Sequence, residues 1–384
     1  MLNYNKSMFW NMTKNCNFQC SYCYFPHTNG KVKNPISAKT LLDFLNKDDN
    51  TWLVGMTGGE PFIYPDFVSL CKELTKNHYI GIDTNLSLTN VVREVAAHIN
   101  PSRVNDIYAS LHIEEREKRN GVKAFIENYH TLNNAGFTVK VNYVLHPELE
   151  SRYHDDVAYF SDNGVPITPR PFKGIYNNRK YPQHYAQSIK DIFASHPDAG
   201  TKMVFNFKGV DCKSGNNLIR MEPDGTILRC PGDRTKLGNI HSEVHLTGKA
   251  TPCIVDRCPC QGINFVELNP AEGWFVEGMR SYLTGAKKNA ANAFKQVLVY
   301  DSEHSSALNN IGVFAFENKD YLHAERLFSH AARLHPSILI YSKNKELAEQ
   351  ALASKLPPDA APELSEVVRP CSSVSEQWDL SRKQ

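Results

Sequence analysis

Cys16, Cys20 and Cys23 stand at C-x3-C-x2-C spacing in the run Thr13-Lys-Asn-Cys-Asn-Phe-Gln-Cys-Ser-Tyr-Cys-Tyr24. No other stretch constrains the chain as much. The spacing is not that of a helical stripe, and it is too short to close ordinary disulfide loops. It suits a loop that folds three thiolates around one metal cluster. A [4Fe–4S] cube has four iron corners and takes thiolate ligands, so three cysteines leave one iron open to an exogenous ligand. The alternative is a zinc knuckle or buried free thiols. Zinc sites usually pair one C-x2-C with a second, and no fourth ligand follows closely.

The rest of the composition narrows the setting. With 384 residues, 41% hydrophobic and 22% charged, the chain has the make-up of an ordinary globular protein of two or three domains. Its 43 basic and 41 acidic residues leave a net charge of +2, which gives no reason to expect a nucleic-acid partner or a membrane surface. No run of 18 apolar residues is present, so no transmembrane helix is expected. The first residues lack the charged-then-apolar order of a signal peptide. Ten cysteines in such a chain point to a reducing, cytoplasmic setting and to metal rather than disulfides.

Strand and helix signals alternate over the first two hundred residues. Strands are expected at 9–13, 52–57, 80–85, 106–112, 138–145 and 167–172. Helices are expected at 37–47 (with Ser37 as N-cap), 65–77, 90–99, 119–135 and 152–162. Regular alternation implies a parallel sheet with helices outside, and ligands in such folds sit at the carboxyl ends of the strands. The second strand runs into Gly58-Gly59-Glu60-Pro61, where paired glycines let the backbone approach a ligand with no Cβ in the way. Arg170 on the sixth strand can pair a carboxylate bidentately. Cys71 falls on the apolar face of a helix and reads as core.

The cysteine spacing, with aromatic Tyr22 just before the third cysteine, resembles the signature of the radical S-adenosylmethionine superfamily. The resemblance implies an α/β fold with a partial (β/α)6 TIM-like barrel over residues 1–205. It implies a [4Fe–4S] cluster on Cys16, Cys20 and Cys23, whose open iron is chelated by S-adenosylmethionine and whose reductive cleavage gives a 5′-deoxyadenosyl radical. Gly58, Gly59 and Glu60 look like the GGEP motif that holds the cosubstrate's amino group by backbone and Glu side chain. Thr84-Asn85 resembles the end of the family's third strand, although Leu86 stands where Gly is common. Ser110-Leu111-His112 resembles the fourth-strand Ser-x-Asp that meets the ribose, with His112 departing from Asp. Asn142 lies near the usual ribose and methionine contacts. An electron donor such as flavodoxin or ferredoxin is implied as a partner.

A second cysteine set follows in residues 206–265. Cys212 and Cys230 flank a β-hairpin signalled by Asp224-Gly225 between apolar runs, and Cys253, Cys258 and Cys260 come after. The order resembles the SPASM and twitch extensions of radical enzymes. Five cysteines fit a twitch-type single auxiliary cluster better than the seven of a full SPASM extension. That implies an auxiliary [4Fe–4S] cluster, or a [2Fe–2S], on four of the five, with Cys212, Cys230, Cys258 and Cys260 favoured and Cys253 close behind. A four-cysteine zinc site is the alternative. Such a cluster would accept the electron left when a substrate radical is oxidised.

Trp274, Gly278, Gly285, Ala290 and Phe294 recur 34 positions later as Leu308, Gly312, Lys319, Ala324 and Phe328. Period 34 with these residue types resembles tetratricopeptide repeats over 266–355, with a capping helix at 340–353. Such repeats imply a groove for extended peptide or, more plainly, a stabilising helical appendage. Residues 356–384, rich in proline, are expected to be extended or disordered, with Cys371 a bystander. The reading favoured is a radical enzyme that oxidatively modifies a peptide or protein. Dehydrogenation, epimerisation or rearrangement of a small molecule is the alternative, and a non-catalytic iron–sulfur scaffold or sensor is a third. The cysteine motif begins too early for a precursor-binding winged-helix domain before it, which weighs against the peptide reading. No hydrogen donor or base stands out; Tyr143 and Tyr24 are weak candidates.

Overall fold

The architecture was taken from a computed structural model, which describes residues 2–23, 28–196, 205–256, 258, 265–283, 286–357 and 360–368. The chain divides into two compact units. The first holds residues 1–201 and 214–249, the second 202–213 and 250–384.

The first unit is built on β1 (Lys6–Thr13), β2 (Trp52–Gly58), β3 (Tyr79–Thr84), β4 (Val104–Ser110), β5 (Val139–Leu145) and β6 (Ile167–Pro171), which pair in that order, each parallel to the next. Between them run α1 (Ala38–Leu45), α2 (Phe67–Leu74), α3 (Thr89–His98), α4 (Ile113–Glu117), α5 (Val122–Asn134) and α6 (Tyr153–Asp162). The Ser37 hydroxyl accepts from Thr40 N–H at 3.1 Å, capping α1 as expected. The strands carry β-branched and aromatic residues that are buried on alternating or both faces, as a sheet covered by helices requires. Trp10, Val54, Ile80, Ile107, Val141 and Tyr143 are among the side chains at the centre of this core, and Cys71 is wholly buried in it. A short hairpin, β7 (Gly174–Tyr176) and β8 (Arg179–Tyr181), and helix α7 (Gln187–Ser195) follow β6.

Residues 206–265 do not form one separate body. The expected hairpin is present as β10 (Leu218–Met221) and β11 (Thr226–Leu228), joined to β12 (Lys236–Asn239), but it extends the barrel sheet. β10 lies parallel to β1, with Ser7 opposite Leu218 and Trp10 opposite Met221. The result is a nine-stranded sheet in the order β12-β11-β10-β1-β2-β3-β4-β5-β6. The reason is burial: Leu218, Ile219 and Met221 are apolar enough to be covered on both faces, and all three are fully buried.

The second unit contains β9 (Asp211–Cys212), paired antiparallel with β13 (Thr251–Pro252), and five helices. These are α8 (Pro270–Leu283), α9 (Lys287–Tyr300), α10 (Ser305–Glu317), α11 (Tyr321–Leu334) and α12 (Leu339–Leu352). The 34-residue period has a direct counterpart. A Cβ on Gly278 would lie 2.6 Å from the Phe294 ring, and one on Gly312 would lie 2.7 Å from the Phe328 ring. Each pair of helices closes by setting a phenylalanine of the second onto a glycine of the first. Residues 360–368 are extended but packed against the helices, with Ser365 and Val368 buried; residues 369–384 lie outside the described residues. No helix among the described residues is long and apolar enough to cross a membrane.

Candidate cluster site at the strand ends

The cysteine loop leaves the carboxyl end of β1 and is tied at its base. Thr28 N–H donates to Lys14 O at 2.8 Å, and Cys16 N–H to Thr28 O at 3.2 Å. The Gly58-Gly59 turn at the end of β2 presses directly on this base. Gly59 N–H donates to Thr13 O at 2.8 Å, and Glu60 N–H to Asn15 O at 2.9 Å. A Cβ on Gly58, at φ +122°, would stand 2.6 Å from Thr13 O, and one on Gly59 would collide with the Asn15 carbonyl. The paired glycines are therefore required by the close approach of two backbones.

Between the cysteines, the intervening residues are held from just past β3, from α4 and from past β4 and β5. Asn17 donates to the Ser87 hydroxyl at 2.8 Å and accepts from Asn85 Nδ2 at 2.8 Å, both just past β3. Gln19 N–H donates to a Glu115 carboxylate oxygen at 3.2 Å, on α4. The Tyr22 hydroxyl lies 2.9 Å from His112 Nδ1, at the end of β4, and the Tyr22 ring stacks on His146, at the end of β5, with centroids 5.7 Å apart. His112 closes β4 in the left-handed region at φ +45°, where a side chain is rarely found. Phe18 packs edge-on to His112 and under the buried Arg116 guanidinium. Arg116 in turn reaches the carbonyls of Asn85, Ser110 and Leu111, lacing β3 to β4.

Glu60 was expected to present its side chain to a ligand, and the structure turns it inward. It is 1% exposed, and its carboxylate accepts from Phe62 N–H at 2.9 Å, Thr84 Oγ1 at 2.6 Å and Asn85 N–H at 2.7 Å. Three buried donors hold it as a joint between β2 and β3, and with about four acceptor sites the carboxylate keeps room for a further donor. Ser110, Asn142 and Arg170 are brought together as neighbours on β4, β5 and β6: Ser110 pairs in register with Asn142, and Arg170 Nε donates to Asn142 Oδ1 at 2.7 Å. Tyr143 is spoken for by Asp156, to which it donates at 2.6 Å. Tyr24 lies outside the described residues.

Electrostatics suit a cationic cluster. Burial pushes the Cys20 thiol up to about 12, with Glu115 adding to it, and burial also raises Cys16. The neighbouring thiols add to this, Cys23 raising Cys16 and both Cys16 and Cys23 raising Cys20. Three thiolates here need a positive partner to exist. The Phe18 N–H already points at Cys16 Sγ, at 3.4 Å, in the manner that tunes cluster sulfurs. The donor set fits a three-cysteine iron–sulfur cluster.

The sequence reading missed Arg116, Glu115 and His146, and gave no partner for Tyr22. No local pattern marks them, since their role exists only once three strand ends meet. It also missed that Glu114, His146 and Glu148 bring ligand-type atoms within 4.8 Å of one another beside Tyr22.

In the second unit Cys212, Cys253 and Cys258 share one buried cluster with Phe205, Phe207 and Phe275. Each is seated on a different backbone pairing: Cys212 opposite Thr251, Cys253 beside Lys208 and Cys258 opposite Phe205. Cys260 lies outside the described residues. Cys230 belongs to the first unit, where it opens a turn in which Asp233 N–H donates to its sulfur at 3.1 Å and Asp233 is locked by the buried Arg229 at 2.9 Å.

Residues 10–158 match the family model described as the Radical SAM superfamily, a family of enzymes. An uncharacterized protein, MJ0907, of Methanocaldococcus jannaschii is 30% identical over 91 residues, which are 22% of this chain and 32% of that protein. The chain thus spans about a third of the length of the curated relative it matches. Among solved structures, anSMEcpe with bound AdoMet overlaps 85% of this chain and 99% of its own at 15% identity and a TM-score of 0.47. Streptococcus suis SuiB bound to S-adenosylmethionine overlaps 63% of this chain and 65% of its own at 17% identity and a TM-score of 0.43. These overlaps are loose; the family match and this chain's own residues carry the functional reading. The match implies a [4Fe–4S] cluster and S-adenosylmethionine as the cofactors of this domain.

Proposed function

Taking residues 10–158 as a radical SAM domain, we propose that the chain is an enzyme that begins its reaction at a cluster held by Cys16, Cys20 and Cys23. When bound, the cluster and S-adenosylmethionine supply a 5′-deoxyadenosyl radical able to abstract hydrogen from an unactivated carbon. The observation that carries the reading is the double anchoring of the cysteine loop. The Gly58-Gly59 turn grips its base, and groups just past β3, on α4 and past β4 hold Asn17, Gln19 and Tyr22 between the cysteines. The main-chain oxygens of the Gly58-Gly59 turn, with the Glu60 carboxylate beside them, are assigned to the cosubstrate's amino group. Ser110, Asn142 and Arg170, adjacent on three strand ends, are assigned to its ribose and carboxylate.

The substrate assigned is a peptide or protein, oxidised with loss of a further electron. Three observations support this. Cys212, Cys253 and Cys258 sit in one buried cluster of the second unit, a donor set suited, with Cys260, to an auxiliary [4Fe–4S] or [2Fe–2S] centre that accepts the electron. The paired helices of that unit resemble tetratricopeptide repeats in period and in their glycine–phenylalanine contacts. Their inner face holds an extended strand. A one-electron donor such as flavodoxin or ferredoxin completes the system. Incubation of the anaerobically reconstituted chain with S-adenosylmethionine and dithionite tests the reading. Release of 5′-deoxyadenosine by the wild type and not by a Cys16/Cys20/Cys23→Ala variant is expected. A wild type with a full cluster and no release would instead support a scaffold or sensor.

A further inference from the structure

Glu114, His146 and Glu148 come from two neighbouring strand ends. Glu114 stands in the first turn of α4, just after β4, while His146 and Glu148 follow directly on β5. One ligand-type atom from each lies within 4.8 Å of the other two. His146 Nδ1 and Glu148 Oε2 are 3.7 Å apart, too far for a hydrogen bond between them. Two donors each about 2.1 Å from one ion lie about 3–4 Å apart when they take adjacent positions on it. The spacing is that of two ligands sharing a cation.

Each of the three side chains is prepared for such a role. His146 is 5% exposed, and its ring is fixed by packing: it stacks on Tyr22 and stands edge-on to Phe172 and Tyr176, with centroids 4.9 Å from both. Buried polar groups are ordinarily well hydrogen-bonded. Among the described residues this ring meets a single donor, the Glu148 N–H, at the long distance of 3.4 Å to Nδ1. A ring nitrogen that accepts an N–H carries no proton, so Nδ1 offers its lone pair on the Glu148 side. Glu148 is oriented through its other oxygen, Oε1, which accepts from the Tyr176 hydroxyl at 2.6 Å; ligating carboxylates are commonly held in this way. Glu114 is half-buried, and its carboxylate has neither a hydrogen bond nor an ion pair among the described residues. Lys118 and Arg152, one turn on from Glu114 and Glu148, are engaged elsewhere, Lys118 with Glu115 and Arg152 with Glu117 and Asp156. Two carboxylates thus converge with no Lys or Arg paired to either, an arrangement that a cation between them relieves.

We propose that Glu114, His146 and Glu148 bind one divalent cation of the Mn2+ class, and that its remaining positions hold water which an oxygen donor of the substrate replaces. One imidazole and two carboxylates, with no thiolate, suit such a metal. Three protein ligands leave the rest of its shell open. The site borders Tyr22, between Cys20 and Cys23, so a substrate oxygen taken up there is held beside the cysteine loop. The cation site rests on these three residues alone and stands whether or not the cluster chemistry does; the substrate's share of it rests on the enzyme reading above.

The test is a Mn2+ titration of the reconstituted full chain, followed by the EPR signal of free Mn2+ and by water-proton relaxation. Saturable binding of one Mn2+ per chain is expected, with a relaxation enhancement that oxalate, a bidentate oxygen donor, reduces by displacing water. Glu114→Gln and Glu148→Gln keep size and hydrogen bonding, and each should weaken binding roughly tenfold or more. His146→Phe keeps an aromatic ring in place and should remove the imidazole nitrogen coupling from the spin-echo spectrum of bound Mn2+. Glu127→Gln, on the exposed side of α5, should change nothing. Absence of saturable binding, or binding left intact by both Gln variants, would overturn the proposal. So would wild-type Mn2+ without nitrogen coupling, which would make the carboxylates a loose cation trap. Bound Mn2+ with no relaxation enhancement would mean a closed, structural site and overturn the open positions.

Discussion

At Gly59 a single methyl group separates a cysteine loop that can close from one that cannot. A Cβ there runs into the Asn15 carbonyl, and the backbone bond from Glu60 N–H to that same carbonyl fixes the spacing. Gly59→Ala is expected to strip the iron held by Cys16, Cys20 and Cys23 while leaving far-UV circular dichroism unchanged; retention of that iron would show the approach to be slack. His112 makes a second prediction at this scale. Burial, helped by the Arg116 charge and opposed by Glu115, lowers its pKa to about 4. The folded state therefore binds fewer protons than the unfolded state between that value and about 6.5. Stability should be intact above pH 6.5 and fall as pH drops toward 4, by roughly 3 kcal/mol at most. His112→Gln, which carries no ionisable group, should flatten this slope in urea titrations across the same pH range. Tyr22→Phe keeps the ring stacked on His146 but removes the hydroxyl facing His112. It should speed loss of the cluster to a chelator several-fold without lowering the melting temperature.

At the scale of elements, helix pairing rests on Phe294 and Phe328, both fully buried against Gly278 and Gly312. Phe328→Ala is expected to destabilise the second unit by about 3–5 kcal/mol, seen as an early transition in thermal unfolding; an unchanged melt would mean that the pair is not load-carrying. This contact was legible in advance because a repeat writes its packing at a fixed period. The β/α alternation and the Asp224-Gly225 hairpin were legible for a similar reason: neighbours in sequence fix them. What could not be read were pairings across long separations. The place of β10 beside β1 joins Ser7 to Leu218, and no local signal chooses that edge over a separate domain. The tail was expected to be extended or disordered because of its prolines. Its order comes from Asn309, Asn310 and Asn344, which lie far from it in sequence and look, residue by residue, merely like weak helix formers. At the site, the cysteine and glycine motifs were visible because their spacing is their chemistry. Arg116, Glu115 and His146 were not, since they act by reaching across strand ends. Glu60 illustrates the limit: its position was anticipated, yet its carboxylate is turned to Phe62, Thr84 and Asn85.

For the whole molecule, the cysteines divide between two bodies. The first carries the loop cysteines Cys16, Cys20 and Cys23, and the second carries the buried set Cys212, Cys253 and Cys258. An enzyme that only cleaves its cosubstrate needs the first set. One that also withdraws an electron from its substrate needs a second centre. The most direct measurement is therefore iron and sulfide per chain after anaerobic reconstitution, made on the wild type and on the Cys16/Cys20/Cys23→Ala variant. About eight irons falling to about four is the result expected for two cubane clusters, with about six falling to about two if the second centre is a [2Fe–2S]. About four irons falling to none, with zinc retained by the variant, would contradict the electron-accepting role and leave a redox-neutral reaction in its place.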